Sequence, residues 1–193
     1  MSTTEVVRLA PFFYSCQISE ECVMEGLLVS TICDLRPNEF SDAIESVDTI
    51  KYYKLVYASV GSISIQINWR HTVLSAGHIV LLRPGDHLSF QRREMCCGYL
   101  CLVHPEYLST DSEYILDLFE HFPLNSIRQS ATTLDSKQSA VVDFSFRNII
   151  TEHKSNNVDK KQATILHLQM ILLQIQRAAG RRFFKWCIPF SQS

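Results

Sequence analysis

Residues 63–69 read Ile63-Ser64-Ile65-Gln66-Ile67-Asn68-Trp69, and their alternation decides how the first half of the chain folds. In an extended segment successive side chains point to opposite faces, so the three isoleucines share one face and Ser64, Gln66 and Asn68 the other. That is a half-buried antiparallel strand, apolar inward and polar outward. Working outward, Gly61-Ser62 ends a preceding strand over Tyr53–Val60, and Gly77 and Pro84-Gly85 bracket Ile79-Val80-Leu81-Leu82. Phe90 and the run Gly98-Tyr99-Leu100-Cys101-Leu102 supply two more strands, and residues 27–35 an earlier one. Six or more short strands in meander order are expected to close as a small sandwich or barrel.

Beyond Leu102 the period changes from two to three or four. Thr110 with Glu113 three residues later forms a capping-box pattern, and Tyr114, Ile115, Leu118, Phe119 and Phe122 follow at helical spacing. A second amphipathic helix is predicted over 136–154, with Val142, Phe146, Ile149 and Ile150 on one stripe. A third, over 159–177, carries two apolar seams: Ile165, Leu168, Leu172 and Ile175 on one, Ala163, Leu166, Met170 and Leu173 on the other. One packed neighbour needs one seam. The sequence therefore predicts that Ile165, Leu168, Leu172 and Ile175 meet a second subunit in a homodimer, unless both seams pack inside one chain.

With 193 residues, 46% of them hydrophobic and 20% charged, the chain has the make-up of one ordinary globular unit. Residues 1–178 are expected to form it, with 179–193 as a tail. A formal net charge of −2 gives no electrostatic draw toward phosphate backbones. The first residues lack the pattern of a secretory signal, and seven cysteines then read as reduced thiols of a cytoplasmic protein. Cys96 and Cys97, adjacent in a strand, point to opposite faces and read as structural. The sequence shows no Gly-x-Ser-x-Gly, phosphate loop or dinucleotide fingerprint, so no enzyme chemistry has a positive signal. A ligand reading falls on Tyr57, His87, Phe90 and Tyr99, whose rings could line a small barrel and stack on a small effector; the same rings could equally just fill it.

The segments Tyr53-Lys54-Leu55-Val56-Tyr57-Ala58-Ser59-Val60-Gly61 and Gly77-His78-Ile79-Val80-Leu81-Leu82-Arg83-Pro84-Gly85 resemble the N-terminal cupin-like domain of AraC-type transcription regulators. So does His104-Pro105-Glu106-Tyr107-Leu108 after the last strand, and the helices at 136–154 and 159–177 are similar to the family's dimerisation helices. The resemblance implies an α+β fold, a cupin-like barrel or jelly roll followed by a helical dimerisation hairpin, acting as an effector-sensing module. It also implies that DNA is reached only through a helix-turn-helix half, for which residues 181–193 are too short. Phe90 matches a pocket position of sugar-responsive members, whereas Val60 replaces the arginine common in them. The metal cluster of enzymatic cupins is not matched: 57–68 has neither His nor Glu, and Leu88 stands where a histidine is expected, with His87 one position early. No cofactor or metal is therefore expected. The rival expectation is a stand-alone cupin enzyme, an isomerase or dioxygenase, and a further one a domain that acts only by dimerising with full-length regulators.

Overall fold

The computed structural model describes residues 21–24, 26–32, 49–93, 96–109, 119, 131–155 and 157–179. Among the described residues nine strands run in chain order as β1 (Glu21–Met24), β2 (Leu27–Thr31), β3 (Tyr53–Val60), β4 (Ser62–Ile67), β5 (Arg70–Ser75), β6 (His78–Leu82), β7 (Leu88–Arg93), β8 (Cys97–Val103) and β9 (Thr132–Thr133). With them go the α-helices α1 (Pro105–Ser109), α2 (Ser136–Lys154) and α3 (Lys160–Ala178) and a 3-10 turn at Thr49–Lys51. Apart from Phe119, the helix expected from Thr110 lies outside the described residues.

The strands form two antiparallel sheets, one of six strands in the order β1-β2-β8-β3-β6-β9 and one of three in the order β5-β4-β7. The fold is mixed α+β, as expected, but the sheets are not joined into a closed barrel. Nor is the order a meander. Strand β3 pairs with β6 and β8 and not with its chain neighbour β4, because the chain crosses from the large sheet to the small one at Gly61, whose φ of +72° makes the sharp turn. Residues buried on both faces explain the placement of β3. Tyr53 through Ala58 are all buried, which suits a strand covered on both sides and not one exposed to water.

Two hydrophobic clusters divide the core by strand alternation. Val56, Ala58, Val80, Leu82, Leu100 and Leu102 of the large sheet meet Ile63, Ile65, Ile67, Leu74, Leu88 and Phe90 of the small one. On the opposite face Leu55, Tyr57, Leu81, Tyr99 and Cys101 meet the helices. The molecule is thus three layers deep: small sheet, large sheet, helical hairpin.

Helix α2 begins with a reciprocal cap. Asp135 Oδ1 accepts from the Gln138 N–H at 2.8 Å, and Gln138 Oε1 accepts from the Asp135 N–H at 2.9 Å, satisfying two otherwise unpaired donors. Directly before it, β9 pairs with β6, and the Leu134 N–H donates to the Gly77 carbonyl at 2.9 Å, fixing where the hairpin starts on the sheet. The bounds of α2 match the predicted helix, and α3 those of the next within one residue.

Candidate functional site

The four residues read as ligand-binding do not gather in one cavity. Tyr57 on β3 and Tyr99 on β8 are register partners, and their rings stack with centroids 6.4 Å apart and planes 3° apart. Both point away from the space between the sheets, toward α2. There Phe146 stacks on Tyr99 at 4.8 Å and on Tyr57 at 6.2 Å. Phe90, opposite Ile65 in register, sits instead in the core between the two sheets and is nearly inaccessible. His87 is exposed at one end of the small sheet, its ring centroid 6.5 Å from that of Trp69. Leu88 faces inward beside it, so the two adjacent positions part to opposite faces as strand alternation requires.

The aromatic stack is edged by polar groups that the sequence reading missed. Ser139 lies close enough to Tyr57, and Arg147 to Tyr99, to act on their hydroxyls. Asp143 lies between these residues in sequence, and its charge is felt by Tyr57 and Arg147. Ser139, Asp143 and Arg147 recur every fourth residue, one face of a helix, and that spacing is the signal that could have disclosed them. Burial pushes the Tyr57 hydroxyl and the Asp143 carboxyl above their ordinary values, and the Arg147 guanidinium offsets part of the Asp143 shift. Asp143 Oδ1 is buried and accepts no hydrogen bond among the described residues. Such a carboxylate makes this seam costly to assemble and sensitive to what α2 does.

The helical hairpin is turned opposite to expectation. Ile165, Leu168, Leu172 and Ile175, predicted to meet a second subunit, are 0–1% exposed within one chain and belong to the core shared by the sheet and α2. The physical reason is the sheet's own apolar face. Leu27, Val29, Tyr53 and Val103 also belong to that core and need covering by more than α2 alone, so the seam is consumed inside the subunit. Solvent meets the other seam. Leu166 is 53% and Met170 43% exposed, and Phe144 of α2, 62% exposed, lays its ring against His167 with centroids 6.0 Å apart.

No protein-family model matches the sequence, and no curated protein matches it. Among solved structures, the chain is similar to the AraC-like transcriptional activator CuxR, with 11% identity, a TM-score of 0.48, and 78% of this chain and 52% of that one covered. It is similar also to apo ToxT from Vibrio cholerae, with 10% identity, a TM-score of 0.44, and 80% and 57% covered. A cupin protein from Bacteroides fragilis matches 42% of this chain and 68% of its own, at 16% identity and a TM-score of 0.27. The chain therefore spans little more than half the length of the AraC-like structures it matches.

Proposed function

We propose that this chain is an effector-sensing and dimerising domain of an AraC-type transcription regulator. The observation that carries the reading is the hairpin. Helices α2 and α3 cover the outer face of a two-sheet β domain with one set of seams, and bare Phe144, Leu166 and Met170 on the other side. Three large apolar side chains exposed on two adjacent helices fit a two-fold contact between copies better than a solvated surface. The sequence likeness to the cupin-like domain of these regulators supports the same assignment. In this reading the chain catalyses no reaction, works in the cytoplasm as a homodimer, and meets DNA through helix-turn-helix segments and not through its own β domain.

A small effector acts by moving the hairpin relative to the large sheet. The seam of Tyr57, Tyr99 and Phe146, with the buried Oδ1 of Asp143, is the element that such a movement strains or relieves. Sedimentation velocity at micromolar concentration tests the proposal. The native protein should run as a dimer and Met170→Asp as a folded monomer with unchanged far-ultraviolet circular dichroism. A native protein that is already monomeric overturns the dimer, and with it the regulatory reading.

A further inference from the structure

The β4–β5 hairpin closes through a two-residue loop, Asn68-Trp69, between the paired residues Ile67 and Arg70. Both loop residues have positive φ, 45° and 69°. Tight hairpins demand that geometry, and asparagine followed by glycine is the usual way to meet it. Here the second position is tryptophan, a bulky side chain in a conformation that L residues avoid. Packing does not account for it, because Trp69 is 84% exposed. A strained residue whose ring is held out in water suggests use by a ligand.

The surroundings specify what kind. Asn68 holds the turn with both ends of its side chain: its amide donates to Asp86 Oδ1, and its Oδ1 accepts from the His87 N–H at 2.8 Å. Asp86 Oδ2 in turn accepts from the Arg83 N–H at 2.9 Å, and the Lys54 ammonium donates to the Asp86 carbonyl at 3.0 Å, so the platform is braced from below. On it sits a pocket of about 90 Å³ lined by Gln66, Asn68, Trp69, His87, Leu88 and Ser89. A closed cavity of about 150 Å³ takes a whole benzene ring, so this smaller, open hollow takes one ring lying partly in solvent and nothing larger. Two walls are aromatic, Trp69 and His87. Gln66 and Ser89 are register partners, which sets an amide and a hydroxyl side by side on the outer face of the small sheet. No lysine, arginine, aspartate or glutamate lines the pocket.

We propose that this end of the small sheet binds a single uncharged heteroaromatic ring. The ring stacks on Trp69 and His87 and turns a hydrogen-bonding edge to the Gln66 amide and the Ser89 hydroxyl. Flat π surfaces on two sides suit an aromatic ring better than a sugar, which asks for more directed polar groups than remain once Asn68 is engaged. The absence of charge in the lining disfavours a nucleic-acid strand, whose phosphates need cations. The site lies on the opposite side of the molecule from the helical hairpin and does not depend on the regulatory reading.

Trp69 and Trp186 are the two tryptophans of the chain, so Trp186→Phe leaves one indole N–H resonance to follow. In that full-length background, titration with uracil and nicotinamide to millimolar concentration should move the Trp69 indole resonance and the Gln66 and Ser89 amides saturably. His87→Ala should weaken binding by roughly five- to a hundredfold, the loss of one stacking partner. Trp69→Gly, which suits the turn, should abolish the shifts at Gln66 and Ser89 without lowering the melting temperature. Resonances unmoved by either ring, shifts as large with methyl glucopyranoside, or binding that survives Trp69→Gly would each overturn the site.

Discussion

Trp69 sets a cost against a use. Its φ of 69° is a glycine conformation, and its ring is mostly in water, so little packing offsets the strain. Trp69→Gly should therefore stabilise the fold by about 1 kcal/mol, read as a higher urea midpoint with an unchanged slope. Lys54 is a second residue out of the ordinary. It is almost wholly buried, donates to the Tyr52 carbonyl at 3.2 Å and the Asp86 carbonyl at 3.0 Å, and burial lowers its pKa from 10.5 to about 8, against a smaller opposing pull from Asp86. Because the folded pKa is the lower one, the unfolded chain binds the extra proton between about pH 8 and 10.5. Stability attributable to Lys54 should accordingly rise with pH across that window, by up to about 3 kcal/mol. The measurement is the difference in unfolding free energy between native protein and Lys54→Met from pH 7 to pH 10.5; a difference that is flat or falls would refute the assignment.

At the scale of elements, Gly98 shows why β8 can lie against β3. A Cβ on Gly98 would come within 2.0 Å of the Tyr57 carbonyl oxygen, beside the register shift between Ala58 and Val60. Backbone has no rotamer with which to yield, so Gly98→Ala should cost more than about 3 kcal/mol, at or above the top of the usual overpacking range. Chemical denaturation measures it directly. The hairpin offers a paired comparison. Leu172 is 1% exposed, so Leu172→Asp buries an unpaired carboxylate and should unfold the chain or cost several kcal/mol, whereas Met170→Asp, at a 43% exposed position, should leave the chain folded and lower its melting temperature only by what dimerisation contributed. This reverses what two seams alone suggested. Periodicity shows that α3 has two apolar stripes; which of them faces inward depends on how much of the large sheet remains uncovered, and that is a property of the packed molecule.

Over the whole molecule, the local signals were legible. Alternation at 63–67 gave β4 its inward isoleucines, the glycines and Pro84-Gly85 gave the turns, and helical spacing gave α2 and α3 to within a residue. The α+β class follows from these. Strand order was not legible, because alternation tells which face a residue takes and not which sheet its strand joins. For the same reason Tyr57, Tyr99 and Phe90 read as one lining. All three point inward from the viewpoint of the sequence, yet a three-layered molecule has two interiors, and Tyr57 and Tyr99 took one while Phe90 took the other. His87 and Trp69 share a pocket because β4 pairs with β7, Ile67 opposite Leu88, and the Asn68 side chain bonds the His87 backbone across nineteen positions.

The pairing of β8 has a consequence for how the protein is made. It lies between β2 and β3, in register from Leu27 opposite Val103 to Tyr57 opposite Tyr99, yet of those three strands it is the last in the chain. On the ribosome, β2 and β3 leave the exit tunnel with one edge each open until β8 follows, and at about 5–20 residues per second that interval lasts a few seconds. During it the apolar faces of Tyr53–Val60 are available to any passing extended segment. Aggregation in cells should thus be set more by the speed of synthesis through residues 61–103 than by the stability of the finished domain. Synonymous codons that slow translation there should lower the soluble yield while leaving the melting temperature of the purified protein unchanged.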